Sequence, residues 1–191
     1  MAAACLSRLM LRGRDSVGLA LATGKGLQYI PPRNRAQHLS ALLDALQTAK
    51  PHDEAALAPA LDEVGRRIRR RGLILVFSDC FSSLDDLQLA MHHLRHRGHE
   101  VMLMHTLAPE EVNFQFDQWS RFQCLEDASW RMDLDPRAIR DRYLQRFAKF
   151  EAELKSCCRE TNCDYIRLTT DRDLGGLLAE YLRRRTAQIK H

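Results

Sequence analysis

The chain has 191 residues, 45% hydrophobic and 28% charged, which suits one globular domain with a substantial core and excludes a disordered chain. A formal charge of +4 is too mild to imply nucleic-acid binding unless the charge gathers on one face. Six cysteines without CxxC pairs fit a reducing, cytoplasmic compartment, and no apolar run approaches the roughly 20 residues that a membrane-spanning helix needs.

The opening segment MAAACLSRLMLRGR places Cys5, Leu6, Leu9 and Met10 at helical spacing, which favours a short helix over a transit peptide or a lipoprotein cleavage box. DSVGLALA then reads as a strand, TGKG as a turn, and LQYIPPR as a second strand stopped by Pro31 and Pro32, so a hairpin is expected. Its GKG triplet joins two strands, whereas a phosphate loop needs a longer glycine motif between a strand and a helix. A helix is expected from Asn34, a good cap, with Leu39, Leu42, Leu43 and Leu46 on one face. DEAALAPALDEVGRRIRR should form the next helix, acidic in its first turn and ending in the arginine-rich stretch Arg66 to Arg71, where the macrodipole favours cations.

LILVF reads as a central strand, SLDDLQLAMHHLRHRG as a helix closed by Gly98, and EVMLMHTL as a strand. This order argues a parallel crossover. VNFQFDQWSRFQCLED reads as loop and a short edge strand. DPRAIRDRYLQRFAKFEAELKSCCRETN is expected as a long amphipathic helix with Ile139, Tyr143, Phe147 and Leu154 on its apolar side. CDYIRLTT is a last strand and DLGGLLAEYLRRR a closing helix. With no repeat and no composition shift, residues 1–191 read as one α/β domain, a mostly parallel sheet with helices on both faces. Ligands in such sheets sit at the carboxyl ends of strands.

Asp79 lies at such an end, and its simpler role is to cap the following helix, for which Ser82 and Ser83 also compete. His92, His93, His96, His99 and His105 invite a metal reading. His92 and His96 lack the glutamate of a zinc helix and are interleaved with Arg95 and Arg97, so a solvated face is favoured. Cys157, Cys158 and Cys163 with Cys124 could make a thiolate site, but adjacent cysteines on a helix point about 100° apart. They are expected to be reduced and structural. No serine or cysteine nucleophile pairs with a base by spacing, so any enzyme reading rests on Asp79.

Four stretches together, GRDSVGLALATGKGLQYIPPRNRAQHLSALLDAL, LILVFSDCFSSLDDLQLAMHHLRHRGHEVMLMHTLAPEE, FQCLEDASWRMDLDPRAIRDRYLQRFAKFEAEL and CDYIRLTTDRDLGGLLAEYLRRR, resemble the bacterial domain-of-unknown-function family 58. That family is similar to von Willebrand factor A domains and is commonly encoded beside MoxR-type AAA+ ATPases. The resemblance implies a Rossmann-like three-layer αβα sandwich with a six-stranded, mostly parallel sheet, one antiparallel hairpin strand, and a metal-ion-dependent adhesion site at its carboxyl edge. Its final aspartate maps onto Asp79. Its Asp-x-Ser-x-Ser loop has no counterpart, and its threonine falls near Ala55, which cannot ligate.

The resemblance therefore implies a single von Willebrand A-like domain over 1–191, incomplete at its N-terminus, with the first central strand missing. Asp79 would be the remnant of an incomplete metal site. No cofactor is expected beyond weak Mg²⁺ in a full-length form, because one carboxylate holds the ion poorly. The expected function is a non-enzymatic, cytoplasmic protein-interaction module whose partner is a MoxR-type ATPase, with neither nucleic acid nor membrane as partner. The alternative is a Rossmann-like metal-dependent hydrolase or nucleotide-binding protein using Asp79.

Overall fold

The computed structural model describes residues 1–23, 26–35, 37–49, 56–116, 118–123, 131–171 and 175–176. Helix α1 (Ala2–Arg12) leads into the antiparallel strands β1 (Val17–Thr23) and β2 (Gly26–Arg33), followed by α2 (His38–Thr48) and α3 (Leu57–Arg67). Then come β3 (Leu73–Ser78), α4 (Leu84–His96) and β4 (Glu100–Leu107). A single turn, α5 (Pro109–Asn113), precedes β5 (Ser120–Gln123) and β6 (Arg131–Leu134). The long α6 (Pro136–Glu160) and the parallel strand β7 (Asp164–Thr169) complete the described elements. The threonine position near Ala55 and most of the expected closing helix lie outside the described residues.

The sheet that matters is three-stranded and parallel, in the order β3-β4-β7. Register pairs Val76 with Leu103 and Ser78 with His105 across β3 and β4, and Leu103 with Tyr165 and His105 with Arg167 across β4 and β7. Side chains alternate faces along a strand, so Ile74, Val76, Val101, Leu103 and Tyr165 share one face. These residues join Leu87, Met91 and Leu94 of α4 and Leu154 of α6 in one apolar cluster. Full burial of each such leucine or methionine contributes about 1.5–3 kcal/mol. Met102 and Met104, on the opposite face of β4, are buried as well. The result is a mixed α/β fold, and among its described residues no helix is long and apolar enough to cross a membrane.

Several expectations are corrected. LILVF forms a strand at the edge of the described sheet, not at its centre: β4 is central, and the hairpin β1–β2 makes a separate two-stranded sheet. The burial follows the topology, since β4 is buried along most of its length while most of β3 is partly exposed. Helix α2 begins at His38 without a side-chain cap. Asn34 instead donates from its Nδ2 to the Arg14 carbonyl, 3.5 Å away. Helix α3 ends at Arg67 because Ile68 turns extended, so Arg69, Arg70 and Arg71 lie in a linker beyond reach of the last helical turn. The segment read as loop and one short strand contains the α5 turn and the hairpin strands β5 and β6.

Gly98 ends the α4 turn at φ +83°, and a Cβ there would lie 2.7 Å from Cδ of Arg71. The positive φ penalises any side chain, and the exposed Arg71 stem would have to swing aside. Gly98→Ala is expected to lower the free energy of unfolding by about 1–2 kcal/mol, read from urea denaturation.

Candidate functional site

At the carboxyl end of β3 the chain runs Ser78-Asp79-Cys80-Phe81-Ser82-Ser83 before α4 begins. The helix cap is Ser83, whose Oγ accepts the Asp86 N–H at 3.3 Å. Asp79 is therefore released from the capping role. Its Oδ1 accepts the Phe81 N–H at 3.3 Å, a local Asx turn that leaves the carboxylate exposed. Between them Cys80 adopts a left-handed conformation, φ 59°, and is 1% exposed, with its amide donating to Ser78 Oγ. The inversion turns Asp79 and Phe81 outward. Phe81 is 57% exposed and stacks on Phe150 of α6 at 5.5 Å between centroids.

The loop is held from beneath by a residue that sequence reading set aside. His105, on the inward face of β4, is fully buried, and its Nε2 donates to the Asp79 carbonyl at 3.0 Å. Its Nδ1 lies 2.8 Å from the Tyr165 hydroxyl, which in turn lies 3.1 Å from Glu151 Oε1. Arg167 and Lys155 reach Glu151 at 3.3 and 3.1 Å. Burial would raise the Glu151 carboxyl, but hydrogen bonds from Lys155 and Tyr165, together with the charges of Lys155 and Arg167, hold it below its ordinary value. Burial likewise raises the Tyr165 phenol, reinforced by the Glu151 charge.

A proton count follows from this geometry. A neutral imidazole carries one N–H and a tyrosine one O–H, so three contacts share two protons. While Nε2–H serves Asp79, Nδ1 must accept, and the Tyr165 proton serves either His105 or Glu151. An imidazolium would fill all three contacts. Burial opposes that and lowers the His105 pKa, with the Asp79 carbonyl and the Glu151 charge pulling the other way.

The remaining sequence candidates do not converge. Among the described residues, no group of three or more His, Cys, Asp or Glu side chains could hold a metal ion. Ser78 and Ser83 beside Asp79 accept backbone N–H groups. Among the described residues, Asp79 thus gathers too few ligand groups to fit a divalent ion. His92, His93 and His96 are exposed, and His93 pairs with Asp62 at 3.0 Å, while His99 and His105 are buried, so the five histidines are not one solvated face. Cys80, Cys157, Cys158 and Cys163 are buried free thiols, whereas Cys124 lies outside the described residues. Burial pushes the first three up to about 12, 11 and 12, which opposes the thiolate that a metal or a nucleophile requires.

A second cluster went unread in the sequence. Phe114, at φ 46°, stacks on Tyr143 of α6 at 4.3 Å, while Phe116 and Phe122 pack edge to face at 5.2 Å. These rings anchor the hairpin β5–β6 near the N-terminal half of α6. The signal was present in the alternating aromatics of NFQF.

Comparison with known proteins adds three findings. Residues 1–153 match the family described as Protein of unknown function DUF58. The uncharacterized protein Rv1480 of Mycobacterium tuberculosis and the uncharacterized protein Mb1516 of Mycobacterium bovis are each 28% identical over 196 residues, a match that covers 100% of this chain and 61% of theirs. The chain thus spans under two thirds of these relatives. A crystal structure of an aerotolerance-related membrane protein from Bacteroides fragilis, carrying multiple mutations to serines, superposes with a TM-score of 0.56 at 16% identity. That match covers 93% of this chain and 84% of that one, a likeness of fold.

Proposed function

We propose, from the premise that the chain belongs to the DUF58 family of proteins of unknown function, that it is a non-enzymatic protein-interaction module of the von Willebrand A-like type. In this reading it works in the cytoplasm with a MoxR-type AAA+ ATPase in the assembly or remodelling of another protein. The observation that carries the proposal is the loop after β3. An exposed carboxylate and an exposed aromatic ring stand side by side on a backbone fixed by the buried His105, which suits docking better than chemistry. The alternative, a metal-dependent hydrolase or nucleotide-binding protein using Asp79, needs further ligands converging on that carboxylate, and the described residues supply none.

The test is binding of the chain to a purified MoxR-type ATPase from the same organism, followed by calorimetry. Asp79→Ala and Phe81→Ala should each weaken binding about tenfold or more, the scale of an interface anchor. Asp79→Ala should change stability by no more than about 0.5 kcal/mol, and Phe81→Ala, which also loses its stack on Phe150, by about 0.5–1.5 kcal/mol. No binding by the wild type, or wild-type affinity in both variants, would overturn the reading.

A further inference from the structure

At the amino end of the same sheet, opposite Asp79, the arginines read in the sequence as the end of a helix form a different arrangement. Arg66 and Arg67 share Glu63, at 2.8 and 2.7 Å. Arg69, Arg70 and Arg71 lie exposed on the linker before β3, and none of them forms a hydrogen bond or ion pair among the described residues.

The end of α4 adds two more cations to this edge. Arg97 donates to the Gly65 carbonyl at 2.8 Å and Arg95 to the His99 carbonyl at 2.9 Å, so both reach backbone groups and keep their charge unneutralised by those bonds. The two ends are contiguous: the Arg71 stem lies against Gly98, and the Glu100 amide donates to the Gly72 carbonyl at 3.0 Å. These elements thus carry seven arginines, of which Arg66 and Arg67 share Glu63, while Asp62 is engaged with His93. His99, at the end of the same turn, is buried with its Nδ1 unpartnered. Burial first, and the Arg97 charge second, hold it below its ordinary pKa.

We propose that this edge, centred on Arg69, Arg70 and Arg71, is a docking surface for an acidic protein segment. The inference rests on reading the chain as an interaction module and names the chemistry of a second face. Guanidinium forks pair bidentately with carboxylates, and three of them on an extended linker present their donors without helical constraint. Duplex DNA fits less well, because the patch offers helix ends and a linker where a major groove takes a helix or a two-stranded ribbon. Single strands would need a free aromatic platform, and Tyr29 is already covered by Arg67 at 5.4 Å. An anionic membrane would need an apolar anchor beside the charge. The nearest exposed large apolar residue along the chain is Leu73, and it is only 37% exposed.

The test measures fluorescence anisotropy of three labelled probes at low and physiological salt: a glutamate-rich peptide, a random-sequence DNA duplex, and vesicles of phosphatidylcholine with phosphatidylserine. The peptide should bind most tightly, with affinity falling as salt rises. The triple variant Arg69→Glu, Arg70→Glu, Arg71→Glu should weaken it about tenfold or more, and the milder Arg69→Gln, Arg70→Gln should weaken it less while melting with the wild type. Asp79→Ala should leave peptide binding unchanged, which separates failure of this face from failure of the ATPase-binding reading. Absence of peptide binding, wild-type affinity in the arginine variants, or tighter binding of the duplex or the vesicles would overturn the proposal.

Discussion

His105→Ala is expected to lower the free energy of unfolding by about 2–4 kcal/mol, because it opens a cavity and removes the donor to the Asp79 carbonyl and the partner of Tyr165. Against a total of about 5–15 kcal/mol that is a large loss. Its pH dependence separates it from an ordinary core truncation. The folded pKa of His105 lies below the unfolded value of 6.5, so below that value the unfolded chain binds more protons than the native one. The stability it contributes is present above pH 6.5 and falls as pH drops from there toward the folded pKa. Urea denaturation at a series of pH values should therefore show wild-type stability declining on acidification below 6.5, with a shallower decline in His105→Ala, where His99 still contributes. Equal slopes would show that His105 titrates alike in both states.

Leu103→Ala should cost about 2–5 kcal/mol. Leu103 is fully buried at the middle of β4, between β3 and β7, and belongs to the cluster with α4 and α6, so both helices would have to move inward to fill the space left. Leu89→Ala is the control. That leucine is 56% exposed on α4, and its truncation should stay within about 0.5 kcal/mol. Thermal or chemical unfolding of the two variants side by side measures the difference. If Leu103→Ala were no worse than Leu89→Ala, β4 would not be the central strand.

The crossover from β3 through α4 to β4 could be read directly, because its signals are local: continuous apolar runs, a serine at the helix start and a glycine at its end. The position of β3 at an edge could not be read. A run such as Leu-Ile-Leu-Val-Phe looks the same wherever its neighbours lie, since pairing is decided by residues far away in sequence. The hairpin β5–β6 escaped for a different reason. Its strands, Ser-Arg-Phe-Gln and Arg-Met-Asp-Leu, are short and polar, and a cross-strand pair, Arg121 with Asp133 at 2.7 Å, bridges them. Within the site, Asp79 and Ser83 could be seen in advance while His105 was counted with its exposed neighbours. The signal lay in period two: His105 follows Val101 and Leu103 on alternate positions of an apolar strand, which marks an inward side chain. Tyr165 could be placed opposite it only once the register of β7 was known.

The left-handed turn at Cys80 divides the labour within three consecutive positions. Position 80 is constrained twice, by near-complete burial and by a backbone handedness that disfavours β-branched residues. Positions 79 and 81 carry neither constraint, since both side chains face water. Substitution at these two positions can therefore change the exposed surface with less disturbance of the core than substitution at position 80. Among diverging copies of this chain, the two outward positions can vary while the buried, left-handed pivot between them stays constrained.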